Sequence, residues 1–211
     1  MNNTKIDYDK VFQLFIDSDS DSDIRHPFQQ GDYYYASDCC SLISLPIDIA
    51  DLPYQEQDKP TDTFSILPRE SNCNIEINVS ELEAKLIPEM VDETFTEEKE
   101  CKNCDGEGEL ECNLGHKHDC EDCEGTGKII TLLKQTTNKI PCQTEQYKMF
   151  DIYFQYRQLK RLIDACQLLN VETIIMVFKL PNDGNLFICG GAKILIMPTM
   201  INDDKDIKII Y

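Results

Sequence analysis

The chain has 211 residues, 41% of them hydrophobic and 9% aromatic, a composition that folds and buries its own apolar core without help from a metal. Its 39 acidic residues against 20 basic ones leave a formal net charge of −19, and a surface that negative repels phosphate backbones over about 8–10 Å at ordinary salt. Nonspecific nucleic-acid binding is therefore disfavoured, and apolar runs such as 174–178 and 194–197 are too short to span a bilayer.

The opening MNNTKIDYDK contains no apolar signal region, and the eleven cysteines are an odd number. Together these features predict reduced thiols in a soluble, cytoplasmic protein. Along the chain, Tyr8, Val11, Phe12 and Phe15 recur at helical spacing and predict a short amphipathic helix within 5–16. The run DSDSDSD at 17–23 imitates a calcium loop, but its sixth position is Ser22 rather than glycine and its twelfth is Phe28 rather than an acid. It reads as a solvated linker. The string GDYYYASDCCSLISLP at 31–46 predicts a hairpin, and the prolines at 53, 60 and 68 mark a long connection through 51–72.

Ile75, Ile77 and Val79 alternate as in a strand, and Ser80 with Glu83 forms a capping-box pattern that opens a helix predicted over 81–90. A cysteine-rich insert at 101–127 follows, then an apolar run from Ile129 to Leu133 that predicts a strand. In the last third, FDIYF predicts a strand, and Leu159, Leu162, Ile163, Cys166 and Leu169 form the apolar stripe of a helix. Strands are predicted near 171–179, 185–189 and 192–197, the first pair joined by the turn sequence PNDGN. The tail after residue 200 carries no clear pattern. On the helix, Arg157, Lys160 and Arg161 are the densest basic cluster, a candidate nucleic-acid contact or else a solvated helix face.

The strongest motif is a pair of knuckles, Cys101-Lys-Asn-Cys104 and Cys120-Glu-Asp-Cys123, separated by a spacing suited to a four-thiolate zinc centre. Two cysteines three apart in a tight turn present both sulfurs at about 2.3 Å from one ion, and two such turns complete a tetrahedron. Glycines at 106, 108, 125 and 127 permit positive φ and let backbone N–H groups face the sulfurs. Four thiolates close the coordination sphere, so the expected Zn2+ is single and structural. The competing readings are metal-free thiol pairs or a redox pair, which normally occurs singly at a helix start. Cys112, His116 and His118 lie between the knuckles, too few for a second full centre, and read as a solvated hairpin tip.

The repeated CxxCxGxG pattern at 101–108 and 120–127 resembles the zinc domain of DnaJ-type co-chaperones. That family carries more such repeats, and no His-Pro-Asp tripeptide of a J-domain occurs in this chain. The resemblance therefore implies a zinc hairpin, with polypeptide binding as an alternative function. Three other segments, INVSELEAKL at 77–86, IYFQYRQLKRLIDAC at 152–166 and GGAKILIMPTM at 190–200, resemble part of a bacterial-type DNA sliding clamp. The hairpin string at 31–46 is also similar, with Ser37, Asp38 and Cys39 as departures. This second resemblance implies an α+β fold of antiparallel sheets with a few helices. It also places the chain with small zinc-bearing, clamp-like proteins of phage and prophage type.

The expected organisation is an N-terminal helix, linker and hairpin region over 1–72, then a clamp-like domain over 73–211 carrying the zinc hairpin at 101–127. Sequences typical of a P-loop, of GxSxG hydrolases, of HExxH metalloproteases and of zinc deaminases are all missing, and His26, His116 and His118 are the only histidines. The expectation is a noncatalytic binding or assembly protein whose partner is a protein or a second copy of itself, with DNA disfavoured by charge.

Overall fold

The computed structural model describes residues 6–16, 26–38, 40–50, 52–56, 73–111, 116–178, 183–200 and 207–211. The DSDSDSD run, most of the connection through 51–72, Cys39, Cys112 and part of the PNDGN turn lie outside the described residues. The chain forms two compact units, one of Met1–Pro88 with Gln143–Tyr211 and one of Glu89–Cys142.

In the first unit, helix α1 (Tyr8–Gln13) starts where the Asp7 side chain accepts a hydrogen bond from the Lys10 N–H. It buries Val11 and Phe12, with Phe15 buried just beyond its end. Strands β1 (Phe28–Gln30), β2 (Tyr33–Ser37) and β3 (Ser41–Pro46) form an antiparallel meander, so the expected hairpin is present and gains a strand on its outer side.

Strand β4 (Cys73–Asn78) leads directly into α2 (Val79–Lys85). The start differs from the expected one: Asn78 is the cap, its side-chain oxygen accepting from the Glu81 N–H at 3.0 Å, and Ser80 lies inside the first turn. The helix also ends earlier than residue 90. Pro88 has no N–H and disfavours helical backbone in the residue before it, and Leu86 already closes the last turn.

After the second unit the chain resumes with β9 (Gln146–Met149) and β10 (Ile152–Gln155), then α3 (Tyr156–Leu168), whose capping box is built by Gln155 and Gln158. Its stripe of Leu159, Leu162, Ile163, Cys166 and Leu169 is buried, as the spacing predicts. Strands β11 (Thr173–Phe178), β12 (Asn185–Cys189) and β13 (Ala192–Ile196) follow. The tight β12–β13 turn uses Gly190 and Gly191 at φ +57° and +95°, both on the side of the backbone map that glycine tolerates.

These strands assemble a seven-stranded antiparallel sheet in the order β1-β2-β3-β13-β12-β11-β4. Strand periodicity sorts its faces. Ala36, Ile43, Ile194, Phe187, Met176 and Ile75 stand in one cross-strand row on the face that meets the helices. They pack with Phe12, Phe15, Leu82, Leu159, Leu162 and Ile163 into the main core. On the other face a smaller cluster joins Phe28, Tyr35, Leu42, Leu195, Leu186 and Val177.

Strand β14 (Lys208–Ile209) pairs in parallel with β9 and completes a second sheet, β10-β9-β14. The Lys208 ammonium pairs with Glu145 at 2.7 Å, Ile210 is buried, and the Tyr211 ring stacks on Phe150 with the Lys85 ammonium 3.8 Å from its centre. Among the described residues of the tail, 207–211, the strand is two residues long, too brief for periodicity to reveal.

The division of the chain follows these pairings rather than a boundary at residue 72. Strands from 28–46, from 73–78 and from 173–196 share one sheet, and a sheet joined by hydrogen bonds holds together as one body. The inserted unit is also longer than 101–127. It is an antiparallel ribbon of β5 (Met90–Glu100) and β8 (Lys128–Pro141), with the cysteine knuckles and the small hairpin β6 (Glu109–Glu111) and β7 (Lys117–Asp119) beyond it. The strand expected at Ile129–Leu133 is the first part of β8.

Candidate metal centre

At the end of the ribbon, Cys101 follows β5 directly and Cys120 follows β7 directly. Each enters a tight turn in which the chain reverses over the next few residues. Gly106 N–H donates to the Cys101 carbonyl and Gly125 N–H to the Cys120 carbonyl, both at 3.1 Å. The two turns are locked to each other reciprocally: Cys101 N–H donates to the Gly127 carbonyl and Cys120 N–H to the Gly108 carbonyl, both at 2.8 Å. One knuckle therefore cannot close without the other.

The turns require unusual backbone. Gly108 and Gly127 have φ of +78° and +72°, and a Cβ there would meet the Gly125 carbonyl oxygen at 2.3 Å and the Gly106 carbonyl oxygen at 2.1 Å. No side chain fits, which is the physical reason for the last glycine of each CxxCxGxG repeat. With that space kept open, Gly108 N–H and Gly127 N–H donate to the Cys104 and Cys123 sulfurs, each at 3.2 Å, stabilising negative charge on them.

All four sulfurs are buried and lie within 4.8 Å of one another. The Cys101–Cys120 and Cys104–Cys123 separations are both 3.7 Å. A tetrahedron with bonds of about 2.3 Å places its sulfurs about 3.8 Å apart, so the arrangement fits one ion of that size. Leu110 packs against the cluster from the small hairpin. Burial opposes a thiolate at both Cys101 and Cys104. At Cys101 the backbone N–H groups of Asn103 and Cys104 outweigh it and hold the thiol below its ordinary value, whereas Cys104 is raised. A cation among the sulfurs relieves the cost of burying charge at both.

The arrangement can hold a metal ion. His116 and His118 are exposed on and beside β7 and do not join the cysteine cluster, and Cys112 lies outside the described residues. The expected basic cluster has a different setting. Arg157 is exposed and its Nε donates to the Gln155 side chain, Lys160 pairs with Asp164, and Arg161 turns to Asp38 and Ser41. Arg161 thus ties α3 to the β2–β3 turn, and the three cations do not present one free basic face. The Asp38–Arg161 pair was not legible in the sequence, because its members are 123 positions apart.

No family model matches the chain, and no curated protein is similar to it at a significant level. Solved structures do match. The Helicobacter pylori beta clamp in complex with diflunisal is 12% identical, with a TM-score of 0.51, over 93% of this chain and 64% of that one. The same clamp with 3,4-difluorobenzamide is 12% identical, with a TM-score of 0.50 and the same coverage. The fold is thus sliding-clamp-like, of α+β class with mostly antiparallel sheets. The chain spans 64% of the length of these structures.

Proposed function

We propose that this chain is a noncatalytic binding or assembly protein of DNA metabolism, built on a clamp-like scaffold and carrying one structural zinc ion. The observation that carries the reading is the likeness of the whole sheet-and-helix architecture to beta clamps. The ligands of the zinc are Cys101, Cys104, Cys120 and Cys123, whose four sulfurs leave no position open for a substrate. Zinc suits the all-thiolate set and its tetrahedral spacing.

With a net charge of −19, and with Lys160 and Arg161 engaged by Asp164 and Asp38, the favoured partner is a protein or a second copy of the chain rather than DNA. Sedimentation velocity of the zinc-loaded chain tests this, alone, with duplex DNA, and with the replication and repair proteins of the organism that encodes it. Self-association or a complex with one of those proteins supports the proposal. A chain that stays monomeric and binds none of them overturns it.

A second reading is a polypeptide-binding module similar to the DnaJ zinc domain. It is favoured by the exposed apolar residues on the ribbon, notably Phe95 and Ile130 at 48% and 66% exposure. Suppression of aggregation of a denatured client, with and without the inserted unit, separates the two. No suppression by the intact chain removes this second reading.

A further inference from the structure

Two cysteines lie outside the metal centre in the main core. Cys166 is on the last turn of α3 and Cys189 ends β12; both are fully buried, and their sulfurs are 3.0 Å apart. That is closer than the 3.7 Å between neighbouring sulfurs of the metal cluster. A disulfide bond measures about 2.05 Å, so about 1 Å of travel separates this pair from one.

The surroundings hold the two elements at the same place. Val171 N–H donates to the Cys166 carbonyl at 2.9 Å, and a Cβ on Gly190 would lie 2.5 Å from the Val171 side chain. The loop leaving α3 is therefore seated against the turn that follows Cys189. Neither thiol belongs to the cluster that can hold the metal.

We propose that Cys166 and Cys189 form a modification site, an internal dithiol that takes up a disulfide bond from a small-molecule disulfide and thereby ties α3 to β12. One protein thiolate attacks a sulfur of the small-molecule disulfide, releasing one small thiol and leaving a mixed disulfide. The second protein thiolate then attacks the protein sulfur of that bond and expels the second small thiol. Two electrons pass from the protein to the oxidant, and the two protein protons end on the released thiols.

The closed fold resists this reaction. The hydrogen bond with Cys189, and burial, hold the Cys166 thiol far above its ordinary value, and neither sulfur meets solvent. Attack proceeds through transient openings of the helix end and the glycine turn, and reclosure then brings the second sulfur onto the mixed disulfide. The product encloses a loop between positions 23 apart, which restricts the unfolded chain and raises stability.

The test uses the full zinc-loaded chain incubated with oxidised glutathione, at room temperature and again just below its thermal transition, followed by alkylation and peptide mapping. The expected result is a Cys166–Cys189 crosslink with loss of two hydrogens per chain, formed faster near the transition. Its formation should raise the unfolding midpoint by several degrees, and dithiothreitol should reverse it. Recovery of both residues as alkylated thiols, as lasting glutathione adducts, or bonded to other cysteines overturns the proposal. A Cys166→Ala chain should lose the midpoint shift, and the mapping of the unsubstituted chain decides the matter even if that variant does not fold.

Discussion

At the scale of single residues, the metal centre depends on two kinds of position. Replacing Cys101 and Cys120 by Ser removes one sulfur from each knuckle. The expected outcome is loss of about one zinc per chain, read by elemental analysis, with the main core retained in circular dichroism. The glycines are graded. Gly108→Ala and Gly127→Ala force a Cβ against backbone carbonyls, whereas at Gly106, where φ of +83° already strains an alanine, the nearest atoms are those of the flexible Glu100 side chain at 3.6 Å. Competition with a chromophoric chelator should therefore show zinc lost from the first two variants well before a Gly106→Ala chain. Outside the metal centre, the pair of Arg161 and Asp38 is another place where single side chains matter. Burial pulls the Asp38 carboxyl upward, but the guanidinium and the Ser41 donors outweigh it and hold it below its ordinary value of 3.8. A carboxyl lowered in the fold contributes stability above that ordinary value and loses it as pH falls through the folded one. Asp38→Ala should cost about 2–3 kcal/mol at neutral pH by denaturant titration, and the difference from the unsubstituted chain should shrink below pH 3.8.

At the scale of elements, α3 is the piece on which sequence and packing agree best. Its apolar stripe is buried in the main core, among residues of both sheets of the first unit and of α1 and α2, so a helical period alone identifies the buried side. Leu162 is fully buried there, and Leu162→Ala should destabilise the first unit by about 2–5 kcal/mol, measured as a shift in its chemical denaturation midpoint. The ribbon β5–β8 was only partly legible. Its described residues include none that is fully buried, so only the apolar run Ile129–Leu133 stood out in the sequence, and the rest of a pairing that runs from Met90 to Pro141 did not. The cap of α2 was misplaced because Asn78 and Ser80 are both good cap residues, and only the end of β4 decides between them.

At the scale of the whole molecule, the two units have separate sources of stability: an apolar core in one, and a cross-braced set of thiol turns in the other. Chelation of the metal should therefore raise amide exchange across 95–128 while leaving the strands of the seven-stranded sheet protected, as hydrogen-exchange mass spectrometry can measure. Excision points the same way. Cys142 N–H donates to the Glu89 carbonyl at 2.8 Å, so the ends of the inserted unit are neighbours that a few residues can join. A chain with 89–142 replaced by a short glycine-serine linker should still unfold cooperatively.

The four-cysteine cluster, the knuckle glycines and the buried stripe of α3 follow from the sequence by itself, because each rests on local spacing, three residues within a turn or three or four along a helix, while the α+β fold was expected from the likeness of a few segments to a sliding clamp. The tertiary structure decided what local spacing does not encode. It showed that residues 28–46 complete the sheet begun by β4 and β11–β13, that Arg161 faces Asp38, that Cys166 meets Cys189, and that the tail adds a parallel strand to β9. Each joins positions far apart in the chain through burial and hydrogen bonding, and such partners are fixed only when the whole core closes around them.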